Sequence, residues 1–160
     1  MELKRVVVTG LGAITPVGNN VPEMWNNIVN GVSGAAPITH FDTEKFKTKF
    51  ACEVKGFNAA DYIDPKEARK MDLYSQYAIA AAKQAMADSK MDLEKVNLDR
   101  IGVIYGVGIG GLRTFEEEYG YYERTKENGP KFNPFFIPKM ISDISVGHIS
   151  IRFGLRGPNF

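Results

Sequence analysis

The chain offers one thiol and two imidazoles as groups that could carry out nucleophilic or acid–base chemistry. Cys52 lies in a strand-like segment, with no adjacent histidine and no helix amino terminus to stabilise a thiolate. His40 lies in a predicted loop and His148 in a predicted helix, and neither has a serine, cysteine or carboxylate nearby in a catalytic pattern. We therefore interpret Cys52 as a buried structural thiol and both histidines as structural residues.

The segment GVGIGG at residues 106–111 could instead bind a phosphate, because it satisfies the G-x-G-x-x-G pattern of dinucleotide-binding loops. It follows a predicted strand and precedes a predicted helix, the context in which backbone amides meet a pyrophosphate. However, no second strand ending in an acidic residue follows about 20 residues later, where a ribose-binding carboxylate is expected. The earlier GLG loop at residues 10–12 has Thr15 at the third glycine position. We favour tight turns for these glycines, keep dinucleotide binding as the alternative, and predict no cofactor.

Composition and charge exclude several classes of protein. Of the 160 residues, 44% are hydrophobic and 24% are charged, which indicates a folded domain rather than a disordered chain. The 20 basic residues nearly balance the 19 acidic residues, so the net charge does not indicate a nucleic-acid partner. A single cysteine offers no disulfide and no metal-ligand cluster, which favours the reducing cytoplasm. No apolar stretch is long enough to cross a membrane, so we expect a soluble cytoplasmic protein.

The residues considered above lie on alternating strands and helices. Apolar runs at residues 6–8 and 101–105, each ended by glycines, predict two buried strands, and residues 50–54 predict a short edge strand. Helices are predicted where capping residues precede apolar residues at helical spacing, at residues 20–31, from residue 64, and at 72–89, 112–126 and 140–152. Strand followed by helix recurs without a linker or internal repeat, which predicts one α/β domain with a mainly parallel sheet.

Several motifs, taken in order, resemble those of the β-ketoacyl synthase family, which has the thiolase-like fold. They are RVVVTGLG at residues 5–12, TPVGN at 15–19, HFDT at 40–43, RKMD at 69–72, GVGIGG at 106–111, PFFIP at 134–138 and GLRGP at 154–158. Ordered matches along nearly the whole chain are more specific than one glycine pattern. The resemblance is to the amino-terminal part of the type II elongating enzymes, and it implies a thiolase-like half with flanking helices, incomplete at its carboxyl end.

The resemblance implies an acyltransferase that elongates acyl chains in fatty-acid synthesis. In that family a cysteine at a helix start accepts an acyl group from acyl carrier protein, and two histidines assist malonyl decarboxylation and carbanion attack. Cys52, His40 and His148 do not match those positions, and the sequence ends at Phe160 before the matching region. We therefore assign no catalytic residue and expect the 160 residues alone to be inactive.

An acyl-binding site is the first of two surfaces that the resemblance implies. Ile109 matches the position that narrows or opens the acyl pocket near the dimer interface of type II synthases. Phe136 and Ile137 resemble residues that line the same pocket. Ordinary core packing is the alternative; it weighs equally with a pocket role for Phe136 and Ile137, and less for Ile109, whose glycine-flanked loop is an unusual place for core packing.

The second surface that the resemblance implies is a docking surface for acyl carrier protein. Lys66, Arg69 and Lys70 match the basic patch of the family, and their spacing of three and four residues places them on one helical face. We add Lys131 to this predicted patch. A positive patch would steer the acidic carrier protein to the enzyme and would release it readily in salt. Without the resemblance, a solvated helix face would be the favoured interpretation.

Three alternatives remain beside a fatty-acid synthase portion that forms a homodimer. One is a noncatalytic chain that keeps only carrier-protein docking or dimerisation. Another is a polyketide-type ketosynthase, which shares the fold and the chemistry but differs in substrate. A dinucleotide-binding protein is the third. If the 160 residues exist alone, an uncovered sheet edge predicts aggregation or tight oligomers.

Overall fold

A computed structural model describes residues 3–129 and 131–160, and these form six α-helices and two short strands. The helices are α1 Val21–Val29, α2 Pro65–Ala68, α3 Leu73–Ser89, α4 Leu112–Thr125, α5 Phe136–Met140 and α6 Ile144–Phe153. The strands are β1 Ala36–Pro37 and β2 Phe50–Ala51, and single 3-10 turns occur at Ala59–Asp61, Leu98–Arg100 and Lys126–Asn128. The chain divides into two compact units. The first runs to Asn58 and includes Ala80–Met91, and the second comprises Ala59–Ile79 and Asp92–Phe160.

The first unit begins with an extended segment and α1. Asn20 caps this helix, because its Oδ1 accepts a hydrogen bond from the Glu23 amide at 2.8 Å, while Glu23 Oε2 accepts one from the Asn19 amide at 2.8 Å. Gly31, with φ of +68°, follows the last turn. The helix predicted at residues 20–31 is therefore confirmed.

The buried strand predicted at residues 6–8 is wrong. These valines belong to no strand, and Val6 and Val8 are 89% and 78% exposed. A strand of a parallel sheet needs hydrogen-bonding neighbours, and the described residues supply none here. The edge strand predicted at residues 50–54 is only two residues long, and β2 pairs antiparallel with β1.

The extended segment of the first unit nevertheless packs closely on the second half of α3. A Cβ atom built at Gly12 would collide with the Ala81 carbonyl, so the two backbones can approach each other only because residue 12 has no side chain. The Leu11 amide donates to Asp88 Oδ2 at 2.9 Å. The backbone of this half of α3 is therefore in close contact with the extended segment.

The strand predicted at residues 101–105 is also wrong, although a trace of parallel pairing is present. Val103 forms an isolated parallel bridge with Asn159. The Val103 amide donates to the Pro158 carbonyl and the Phe160 amide donates to the Val103 carbonyl, both at 3.0 Å. The chain is of the α/β class, but the described residues contain one two-stranded antiparallel sheet and not the mainly parallel sheet that we predicted.

The helices of the second unit follow the prediction more closely. Asp64 caps α2, and α6 ends at Gly154, whose φ of +66° is the left-handed conformation of a helix stop. The start predicted for the last helix at residue 140 is wrong, because α5 ends there and α6 begins at Ile144. Pro138 fits the first turn of α5, where a backbone N–H has no helical partner and none is lost.

The core of the second unit includes buried residues of the first half of α3 and of α6. Ile79 and Ser75 are fully buried, and Val146 and Ile149 are nearly so. Within residues 3–129 and 131–160, no helix has the length and apolar character needed to cross a membrane.

Candidate functional site

The glycine loop at residues 106–111 is fixed at its end and open at its start. A Cβ built at Gly106 or Gly108 would meet no atom within 4 Å. Gly110, by contrast, has φ of +83°, and a Cβ there would collide with the Met140 carbonyl and lie 3.2 Å from the Ser142 amide nitrogen. The Gly111 amide donates to the Met140 carbonyl at 2.9 Å. Only the second half of the loop therefore requires glycine.

This geometry argues against a phosphate site in the loop. The Gly111 amide is bonded to Met140, and the Leu112 and Phe115 amides donate to the Gly110 and Gly111 carbonyls. These amides are not available to a pyrophosphate, which in dinucleotide-binding loops accepts hydrogen bonds from backbone N–H groups. The tight-turn interpretation of the glycines agrees with the structure at Gly110.

Ile109 lies on this loop and lines an open groove of about 580 Å³. Its side chain is 71% exposed, so it is not a core residue of the described chain. The remaining walls of the groove are mainly apolar and comprise Leu112, Phe115, Met140, Ile141, Ser142 and Asp143. An alkyl chain suits such walls, because each buried methylene contributes about 0.8 kcal/mol.

Phe136 belongs to an aromatic cluster beside the groove and does not line it. Its ring stacks on Phe115 at a centroid distance of 6.3 Å and on Phe132 at 5.8 Å. Phe115 is therefore shared between the cluster and the groove of Ile109. Tyr119 and Tyr122 of α4 complete the cluster, with Tyr119 stacked on Phe115 at 5.9 Å.

The structure thus brings together two of the three predicted pocket residues. Ile109 and Phe136 both neighbour Phe115, whereas Ile137 is 53% exposed and lines no described groove. Sequence reasoning missed Phe115 and Met140 as groove residues. The spacing of Phe115, Tyr119 and Tyr122 by four and three residues was a signal for an aromatic helix face.

The four predicted docking residues are all exposed. Lys66 lies in α2, Arg69 caps its end, and Lys70 follows it, so the helix is shorter than the patch. Lys70 Nζ lies 5.3 Å from the centroid of the Phe135 ring, a cation–π contact. Lys131 is also exposed. All four positive side chains are therefore accessible.

A second groove, of about 520 Å³, adjoins this patch. Its walls are Glu67, Lys70, Met71, Phe135, Pro138, His148, Ile151 and Arg152. Arg152 Nη2 donates to Glu67 Oε2 at 2.7 Å. Burial, assisted by the Arg152 charge, lowers the pKa of His148, and the Glu67 carboxylate opposes that shift. The imidazole is therefore a neutral wall of the groove at pH 7.

Cys52 and His40 do not form a nucleophilic pair. Cys52 is exposed, so its predicted burial is wrong; a strand of two residues has no sheet face that could cover the side chain after it. His40 Nε2 lies 3.8 Å from Glu53 Oε1. The Thr39 hydroxyl donates to Glu53 Oε2 at 2.7 Å, and this bond lowers the Glu53 pKa.

No three metal-ligating side chains lie together in the described parts of the chain.

Comparison with known proteins identifies one family for this chain. The family profile described as "Beta-ketoacyl synthase, N-terminal domain" matches residues 3–160. Proteins called 3-oxoacyl-[acyl-carrier-protein] synthase 2 from Staphylococcus aureus (strain COL) and Vibrio cholerae are 46% and 48% identical to this chain over 157 and 160 residues, which are 98% and 99% of it. The chain spans 37% and 38% of the lengths of these relatives.

Solved structures of ketosynthases resemble the fold. The ishigamide ketosynthase/chain length factor has a TM-score of 0.84 and 27% identity, over 96% of this chain and 38% of the other. A type II polyketide ketosynthase, bound to a hexaketide and in complex with its acyl-carrier protein, has a TM-score of 0.77 and 27% identity, over 96% of this chain and 40% of the other.

Proposed function

Since this chain belongs to the β-ketoacyl synthase family, we propose that it is part of a 3-oxoacyl-acyl carrier protein synthase that elongates acyl chains. The reaction is the decarboxylative condensation of malonyl-acyl carrier protein with an acyl group. The described residues would contribute two binding surfaces, while a cysteine and two histidines elsewhere in the working enzyme would form the carbon–carbon bond. The groove of Ile109 is the observation that carries this proposal.

The groove suits the end of an acyl chain for physical reasons. Ile109 is exposed in it although the residue is apolar, and Phe115, Met140 and Ile141 offer further apolar contact. Two methylenes buried against such walls contribute about 1.6 kcal/mol, or somewhat more than tenfold in affinity. Phe136 would support Phe115 from behind, and Ile137 would join the wall only in the assembled enzyme. These roles make Ile109 the residue that sets acyl chain length.

Acyl carrier protein would dock on the patch of Lys66, Arg69, Lys70 and Lys131. What supports this is the exposure of all four side chains, combined with a name shared by relatives that are 46% and 48% identical. Positive charge at an exposed surface accelerates encounter with an acidic partner and gives a modest, salt-sensitive affinity. That behaviour suits a carrier that must leave after each transfer.

We prefer fatty-acid elongation to polyketide synthesis. The 3-oxoacyl synthases are 46% and 48% identical to this chain, against 27% for the ketosynthases of known structure. Polyketide synthesis is the second candidate, because the fold is shared and the protein bound to the hexaketide is a ketosynthase. A noncatalytic docking or dimerisation protein is the third.

The assembled enzyme would be a homodimer in the cytoplasm, with a mainly parallel sheet in one thiolase-like domain. The parallel bridge between Val103 and Asn159 supports the sheet, because it supplies one pair of parallel segments that further strands can extend. Exposed apolar side chains at Val6, Val8 and Ile104 support it too, since a completed sheet would cover them.

The test is a condensation assay on the intact protein that contains these residues. Acyl carrier protein charged with acyl and malonyl groups is supplied, and the 3-oxoacyl product is measured together with the mass of the protein. We expect elongation of saturated acyl chains. Absence of product from a folded intact protein would remove the enzymatic proposal, and successive condensations without intervening reduction would favour the polyketide alternative.

The docking surface is tested by charge reversal in the same assay. Lys66→Glu combined with Lys70→Glu should raise the KM for acyl carrier protein by about tenfold at low salt, and the difference should shrink as salt screens the charges. Lys45→Glu combined with Lys47→Glu is the matched control, because these exposed lysines lie outside the patch and the net charge changes equally. Equal effects of the two pairs would contradict a specific docking patch.

A further inference from the structure

We propose that Asp72 and Thr114 form a brace that positions the loop of Ile109 and thereby tunes acyl chain-length selectivity. The inference rests on the proposed function, since it concerns the groove assigned above to the acyl chain. It assigns a positioning role to two residues that do not line the groove. Tyr74 adds a second contact to the same brace.

The carboxylate of Asp72 joins the start of α3 to the first turn of α4. Its Oδ2 accepts a hydrogen bond from the Thr114 hydroxyl at 2.5 Å, and its Oδ1 accepts one from the Tyr74 amide at 3.3 Å. Thr114 is buried, with 8% of its surface exposed. A short hydrogen bond from a buried hydroxyl to a carboxylate is among the stronger polar contacts available to a protein.

Tyr74 ties the same helix start to the segment after α5. Its hydroxyl donates to the Ile141 carbonyl at 2.5 Å. Burial raises the pKa of Tyr74, so the hydroxyl keeps its proton and remains a donor at neutral pH. The two ends of the groove, at α4 and at residues 140–143, are therefore both held by residues 72–74.

The glycine loop is clamped between these two held segments. Gly111 leaves space for the brace, because a Cβ at that position would lie 3.1 Å from Asp72 Oδ2 and 3.0 Å from the Met140 Cα. Gly110 abuts the Met140 carbonyl. Ile109 comes directly before this clamp, whereas a Cβ added to either earlier glycine of the loop would have no atom within 4 Å. The clamped glycines are thus the nearest fixed point for the Ile109 backbone, and the brace holds the segments that clamp them.

Loss of the brace would let Ile109 occupy several positions instead of one. A single position restricts the depth of the groove and favours one range of chain lengths, whereas several positions accept a wider range. Loss of a hydrogen bond to a half-buried charged group such as Asp72 is worth about tenfold or more when it is felt fully at one site. Because only part of that loss reaches Ile109, we expect selectivity to change by about three- to tenfold.

The experiment uses the intact protein and compares hexanoyl- and tetradecanoyl-acyl carrier protein as acyl donors. Selectivity is the ratio of their kcat/KM values. Thr114→Val removes the hydroxyl and keeps the shape of the side chain, whereas Thr114→Ser keeps a hydroxyl. Thr125→Val is the matched control on the same helix, because the Thr125 hydroxyl donates to the Tyr121 carbonyl within α4 and so joins no second element. Hydrogen–deuterium exchange of residues 106–112 provides a readout that does not need activity.

We expect Thr114→Val to change selectivity by about three- to tenfold and to speed exchange in the loop, while Thr114→Ser and Thr125→Val stay within about twofold of the wild type. Tyr74→Phe should act in the same direction and replaces Thr114→Val if that variant does not fold. Unchanged selectivity and unchanged exchange in both folded variants would overturn the brace. Failure of the wild type to elongate either donor would count against the proposed function alone, since loop exchange still tests the brace.

Discussion

Gly110→Ala should destabilise the protein, whereas Gly108→Ala in the same loop should not. Gly110 has φ of +83°, a conformation that costs an L-residue about 1–2 kcal/mol. A Cβ at this position would also collide with the Met140 carbonyl, which is backbone and cannot rotate away. Gly108 has neither a positive φ nor an atom within 4 Å of the added Cβ.

The expected free-energy changes follow from these two terms. Left-handed strain of about 1–2 kcal/mol and overpacking of about 1–3 kcal/mol give about 2–5 kcal/mol for Gly110→Ala. Gly108→Ala should change stability by less than about 0.5 kcal/mol, as for most exposed positions. For a protein of this size or larger, the first change lowers Tm by about 4–20 °C and the second by about 2 °C or less.

The assay is equilibrium unfolding in urea, followed by circular dichroism, with a thermal scan of the same samples. Gly106→Ala is a second control, because its Cβ position is equally open. Equal destabilisation by Gly108→Ala and Gly110→Ala would refute the argument that only the end of the loop is clamped.

Two further predictions concern α6. Gly147→Ala should stabilise the protein by about 0.5–1 kcal/mol, because Gly147 lies inside the helix and the added Cβ would meet no other atom. Gly154→Ala should destabilise the protein by about 1–2 kcal/mol, because Gly154 has φ of +66°. Urea unfolding of the two variants measures both changes. Burial lowers the pKa of His148 in the folded protein, so the unfolded chain binds the proton more readily. The contribution of the neutral His148 to folding stability is therefore complete above about pH 6.5, the pKa in the unfolded chain, and is lost as the pH falls toward the folded pKa. In His148→Gln, the urea midpoint of unfolding should depend less on pH between about pH 7 and 5 than in the wild type. An unchanged pH dependence would show that His148 is not its source.

Helix positions were predictable from local chemistry. Asn20 and Asp64 mark the starts of their helices through side-chain caps, and Gly154 marks a stop, and all three act within a few residues of their own position. Pro138 is unfavourable in a central strand, but it does not reveal that α5 occupies this segment and that α6 begins only at Ile144. Proline permits the first turn of a helix as well as a loop, so its presence does not decide between them.

Strands could not be predicted with equal success, because a strand depends on partners that its own residues do not determine. Residues 6–8 have the β-branched composition of a buried strand, yet Val7 is 60% exposed and unpaired in the described chain. Cys52 was interpreted as buried because no neighbouring group activates its thiol, but this reasoning does not determine what covers the side chain, and Cys52 is exposed. Side-chain contacts between distant residues, such as Asp72 with Thr114, left no periodic signal in the sequence.

The pairing of Val103 with Asn159 also bears on the order of folding. The two residues lie far apart in the chain, so their contact closes a long loop. The conformational entropy of that loop must be lost before the hydrogen bonds form. Helices such as α3 and α4 need only neighbours within a few residues and can form first. During synthesis on the ribosome, Val103 must wait until Asn159 emerges. Over that interval the apolar segment around Ile104 is accessible to chaperones that hold unpaired strands.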